Sequence, residues 1–116
     1  MIAHVVFFRP KADLADADRA RIVDALRDAH ARIPQIRRFI IGKRTLTGKA
    51  YDATARDFPY LVMLEFDALP DLEGYLAHPA HDALSLSFHY ASEAAEAYDF
   101  EIGAAPEALD ALLTGR

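Results

Sequence analysis

Cysteine is absent from this 116-residue chain, which removes disulfides, thiolate metal sites and cysteine nucleophiles together and fits a reducing compartment. The expected location is therefore cytoplasmic. No apolar run approaches the roughly 20 residues that span a bilayer. Met1 leads straight into Ile2-Ala3-His4-Val5-Val6-Phe7-Phe8 with no basic segment or small-residue cleavage site before it, so neither membrane insertion nor a secretory leader is expected. Repeats, low-complexity tracts and charge runs are also missing. Positive charge is in short supply: 13 Lys and Arg stand against 18 Asp and Glu, a formal charge of −5, whereas a nucleic-acid surface needs clustered cations. The one basic cluster, Arg37, Arg38, Lys43 and Arg44, alternates along a strand pattern and reads as strand-edge solubilisation. What is present, 53% hydrophobic and 27% charged residues, is enough for one globular domain with one core.

The order of elements follows from periodicity. Ile2 to Arg9 is β-branched and aromatic and stops at Pro10, which predicts a strand with His4, Val6 and Phe8 on one face and Val5 and Phe7 on the other. Ile22, Val23, Leu26, Ala29 and Ile33 recur at helical spacing over residues 16–33, with Asp13 or Asp16 as the expected cap and Pro34 as the stop. A second strand is expected over 36–44, a polar loop over 45–57 and a third strand over 60–66. Leu69, Leu72, Tyr75 and Leu76 predict a short helix that tolerates Pro70, although Gly74 inside it costs about 1 kcal/mol relative to alanine. Ala80, Leu84, Phe88 and Ala91 form the stripe of a further helix. Tyr98 to Ile102 alternates as a last strand, and residues 106–113 suggest a short tail helix.

This order, β-α-β-β-α-β with the second helix broken at Pro79, is the ferredoxin-like α+β arrangement: a four-stranded antiparallel sheet with helices on one face. The first and third strands are apolar on both faces, and two helices cover only one. The second face therefore needs a partner, most economically a second copy packing sheet on sheet as a two-fold dimer. A tail folded across that face is the less favoured solution.

Chemistry concentrates in Tyr75-Leu76-Ala77-His78-Pro79-Ala80-His81. Pro79 pushes His78 out of the helical region and itself suits the first turn of a new helix. His81 then lies where free N–H groups and the dipole's positive end disfavour an imidazolium, leaving a neutral base with Tyr75 as its acid partner. The residues equally allow a bland reading: His78 a polar N-cap, His81 a surface histidine and Tyr75 ordinary core. His78 and His81 as metal ligands are disfavoured, because Pro79 breaks the helix between them and no third ligand completes the pattern, so no metal is expected. His30 and His89 read as solvated. Ser85, Ser87 and Ser92 lie on a helix without the strained elbow of a hydrolase nucleophile.

With His4-Val5-Val6-Phe7-Phe8, Glu65-Phe66-Asp67 and the Tyr75 to His81 block in place, residues 1–102 resemble the Dabb family, the stress-responsive A/B barrel domain among dimeric α+β barrels. Residues 103–116 remain as a tail. The resemblance implies a homodimer joined through the sheet face and, from a polyketide-cyclising member, acid–base chemistry without metal or organic cofactor. In that reading His81 is the base, Tyr75 the phenol and His4 a pocket residue; the substrate-binding set is Val6, Phe8, Leu26, His78 and Leu84. Leu26 stands where that cyclase brings a further tyrosine, which implies a more apolar pocket for a small, flat, carbonyl-bearing ligand. Two other classes stay open: a non-catalytic stress-response or ligand-binding homodimer, and a cofactor-free monooxygenase.

Overall fold

A computed structural model describes residues 1–115. The chain runs β1 (Ile2–Pro10), α1 (Asp16–Arg32), β2 (Arg38–Lys43), α2 (Tyr51–Thr54), β3 (Tyr60–Phe66), α3 (Leu69–Ala77), α4 (Pro79–Ala91), β4 (Ser92–Glu101) and α5 (Ala108–Leu113). The four strands form one antiparallel sheet in the order β2-β3-β1-β4. This is the ferredoxin-like α+β fold. Among the described residues no helix is long and apolar enough to cross a membrane.

The core lies between the helices and one face of the sheet. Val62, Leu64 and Phe66 of β3 meet Ile22 and Ala29 of α1, Leu72 and Tyr75 of α3, and Ala80, Leu84 and Phe88 of α4. Antiparallel register sets His4, Val6 and Phe8 opposite Leu64, Val62 and Tyr60, so these residues share that face. Ala29, fully buried, leaves room for α1 and α4 to lie side by side. The opposite face carries Phe7, Ile40, Leu61 and Met63, all half-buried, together with Tyr98 and Phe100, which are 45% and 49% exposed. Phe58 of the loop before β3 reaches its edge at Phe7, 6.4 Å between ring centroids, while α5 leaves Leu109, Leu112 and Leu113 in solvent.

Several expectations need correction. Neither Asp13 nor Asp16 caps α1; its N-cap is Ala15, without a side-chain bond. Asp16 lies inside the first turn and binds Arg19 at 2.6 Å, where a carboxylate still favours the helix dipole. Val23 is 47% exposed, because the buried stripe centres on Ile22 and Ala29. β2 is shorter than expected, since Ile36 turns into the core. The loop over 45–57 holds a turn of helix fixed by Asp52, whose Oδ2 accepts from the Thr47 and Gly48 amides at 3.0 and 2.7 Å. Gly48 takes φ +84° there, a conformation glycine adopts without penalty.

The largest difference is β4, which starts at Ser92 with no loop after α4, six residues before the alternating pattern. Ala94, Ala95 and Ala97 have little β propensity alone, but the strand pairs with β1 along its whole length, from Ile2↔Glu101 to Pro10↔Ser92.

Phe66 is fully buried and its ring lies 5.4 Å from that of Tyr75. Phe66→Ala is expected to destabilise the fold by about 3–5 kcal/mol, read as a lower urea midpoint at unchanged m.

Candidate active site

The break at Pro79 builds the site. α3 ends at His78, in extended conformation (φ −76°, ψ 140°), and Pro79 opens α4. His78 Nδ1 accepts the Ala80 amide at 3.0 Å, so this imidazole is used as a cap and stands outside the cavity lining. One turn on, His81 comes back against Tyr75: the rings meet edge-on, 4.9 Å between centroids. Tyr75 is 2% exposed and also touches His4 of β1, at 5.7 Å. Three side chains named by the sequence are thus brought together by three elements.

They line a cavity of about 610 Å³ between the sheet and α3–α4, with Val6 and Leu84 among its walls. Phe8 and Leu26 are not in that lining. Phe8 stacks on Tyr60 and meets Phe88 edge-on at 4.9 Å, while Leu26 packs on the core from α1. The apolar walls come instead from Val62, Leu64 and Phe88, with Ala95 and Ala97 as a small-residue floor. Ser85, His89, Ser92 and Glu93 also reach the cavity. His89 is exposed, as expected of a solvated helix position, and helical spacing of four from His81 through Ser85 brings it to the same edge of the cavity. Ser92 Oγ is buried with no hydrogen-bond partner among the described residues. His30, the other histidine read as solvated, rests edge-on against Phe39 at 5.5 Å.

Burial shifts His81 and Tyr75 in opposite directions. Burial lowers the His81 pKa from its ordinary value, and the neighbouring His4 lowers it further; Asp82 and the Leu76 backbone oppose the shift. The dominant cause is therefore desolvation, where the sequence pointed to the helix dipole. His81 Nδ1 is shut off from solvent without a hydrogen bond among the described residues, and the Asp82 carboxylate stands 3.9 Å from it. A proton held on that side leaves the Nε2 lone pair free to accept. Burial pushes the Tyr75 phenol well above its ordinary value, which keeps it a hydrogen-bond donor.

His4 has a partner that the sequence did not reveal. Asp99 Oδ1 lies 2.6 Å from His4 Nδ1, and an ionised carboxylate only accepts, so His4 donates from Nδ1 to it. The Asp99 side chain remains 48% exposed. The register pairs it directly with His4, so it shares the helix-covered face, while Tyr98 and Phe100 point to the opposite one.

The model of the stress-responsive A/B barrel domain, Dabb, matches residues 2–102. The chain belongs to the Dabb family. The structure of this Dabb protein is similar to the hydroxynitrile lyase of Passiflora edulis, at TM-score 0.74 and 19% identity over 90% of this chain and 94% of that one. It is similar to a cofactor-independent oxygenase of Streptomyces nogalater, at TM-score 0.65 and 15% identity over 90% and 95%. A dimeric ferredoxin-like protein of unknown function from Thermobifida fusca gives TM-score 0.66 and 22% identity over 87% and 90%. No curated protein matches the sequence.

The lowered His81 pKa has a consequence for stability. The folded state holds this proton less tightly than the unfolded chain, so the neutral ring's contribution is fully present above the ordinary value of 6.5 and is lost as pH falls through it. The stability difference between the native chain and His81→Gln is therefore expected to shift against the native chain between pH 7.5 and 5, measured by urea unfolding. The His81 ring protons should titrate with a midpoint below 6.5 by NMR.

Proposed function

We propose that this Dabb protein is a homodimer in which each protomer performs cofactor-independent acid–base chemistry on a small, apolar, carbonyl-bearing compound. The observation that carries the reading is the contact between the neutral His81 ring and the protonated Tyr75 phenol inside an apolar-walled cavity. A substrate resting on Val6, Leu64, Leu84 and Phe88 would present its carbonyl to Tyr75. His81 Nε2 takes the proton from the α carbon, and the C–H electron pair moves onto the carbonyl oxygen, where the Tyr75 O–H donates. The enolate then attacks a second carbonyl, as in an aldol cyclisation, and the imidazolium returns the proton to the new alkoxide. His4, fixed by Asp99, offers a second imidazole beside the phenol. The lyase and oxygenase with this fold are compatible with such a cavity serving different chemistry.

The test needs no foreknowledge of the substrate. A panel of methyl ketones and 1,3-diketones in D₂O is followed by NMR for exchange at the α carbon. Exchange should exceed the buffer rate, fall about 10²- to 10⁴-fold in His81→Ala and about 10²- to 10³-fold in Tyr75→Phe, with ligand affinity within a few-fold of native. Binding without exchange would instead identify a ligand carrier, and oxygen uptake with a phenol would identify a monooxygenase.

The homodimer rests on the uncovered sheet face and on the dimeric relative. Because Phe100 is half exposed, Phe100→Asp is expected to leave the fold intact and convert the dimer to a monomer, as read by light scattering.

A further inference from the structure

A second cavity, about 370 Å³, opens on the face of the sheet away from the helices. Phe7, Phe58, Leu61 and Tyr98 form its apolar part, and Lys43, Arg44 and Arg56 stand around it. Arg56 pairs with Glu96 and Arg44 donates to the Asp52 carbonyl at 2.9 Å. Lys43 meets no carboxylate among the described residues. The cavity is thus apolar inside and cationic at the rim, and Phe7, Leu61 and Tyr98 make it continuous with the sheet face assigned to the dimer.

The tail has the opposite character. In α5, Leu109, Leu112 and Leu113 follow i, i+3, i+4 spacing and so share one face, yet they are 61%, 41% and 76% exposed. Asp110 flanks that face, about a quarter to a third of the way round the helix, while Glu107 falls on the far side. This segment falls outside the 2–102 span of the family match.

We propose that α5 of each protomer docks its leucine face into this cavity of its partner, with the flanking Asp110 against the cationic rim. The proposal rests on the homodimer reading above. Geometry favours the partner over the same chain. The tail leaves β4 beside Met1, where the Ile102 amide donates to the Met1 carbonyl at 3.0 Å, whereas the cavity lies at the Phe7–Tyr60 end of the strands. The two ends are about 20 Å apart at strand rise. The intervening turn does not extend: a Cβ on Gly103 would stand 2.5 Å from the Ala108 Cβ, so α5 is held at the strand end where it begins.

A two-fold axis crossing the strands reverses one sheet over the other and brings each acidic tail to the other's basic-rimmed cavity. An axis along the strands would instead gather both cationic rims at one end and both acidic tails at the other, which charge repulsion disfavours. The exposed leucines then find burial and the uncompensated Lys43 finds a carboxylate.

The cysteine-free chain makes the test direct. Two single-cysteine variants, Leu112→Cys and Phe58→Cys, are mixed, allowed to exchange subunits and mildly oxidised. A disulfide-linked heterodimer on a non-reducing gel is the expected result, and it can form only between chains. A chain ending at Ile102 should dimerise at least about tenfold more weakly while keeping the His81-dependent exchange. The proposal is overturned by a dimer that gives no crosslink, by Leu112→Cys linking efficiently to itself, or by truncation that leaves dimer affinity unchanged. A native chain that scatters light as a monomer overturns the homodimer reading itself.

Discussion

The buried ring of Tyr75 is the constraint on which the site depends. It is held by Phe66 of β3 behind it and by contacts to His4 of β1 and His81 of α4, so strands and helices are fixed relative to one another through one side chain. The two imidazoles reach it from elements far apart in sequence. The same desolvation that makes this ring a packing residue raises its pKa and lowers that of His81. One physical cause, removal from water, thus sets both protonation states needed for a donor beside a base.

Around that point the sheet divides its work between two faces. On the helix side, small residues of β4, Ala95 and Ala97, leave space that the large core residues of β3 do not, and a cavity remains. On the other side, Tyr98, Phe100 and Phe7 present aromatic surface that the helices cannot reach. β4 supplies both effects, because it sets Ala95, Ala97 and Asp99 toward the helices and Tyr98 and Phe100 outward. The strand is therefore the element shared by the cavity and the uncovered sheet face.

Much of this was legible in the sequence wherever a strong local marker stood. β3 and α3 run over the residues expected from their periodicity, and α4 starts at Pro79 because proline admits few other places for a break. Legibility failed where the decisive interaction was non-local. Ala94 to Ala97 read as nothing in particular until β1 paired with them. The pairing of Asp99 with His4 was not legible, because alternation gives the period of a strand and not which face meets the helices. Phe8 has the face expected of it but spends its ring on Tyr60 and Phe88, and Leu26 packs on the core outside the cavity lining.

What the sequence determined by itself was the order of elements, the helix break and the presence of Tyr75, His78 and His81 around it, since steric limits at proline and hydrophobic period act over a few residues. It also determined that one apolar face of the sheet would be left over, because that follows from counting strands and helices. Only the tertiary structure decided that His78 serves as a cap while His81 faces the cavity, and that Asp99 belongs to His4. Those outcomes depend on strand register and on which atoms lose their water, and both arise only when distant segments pack.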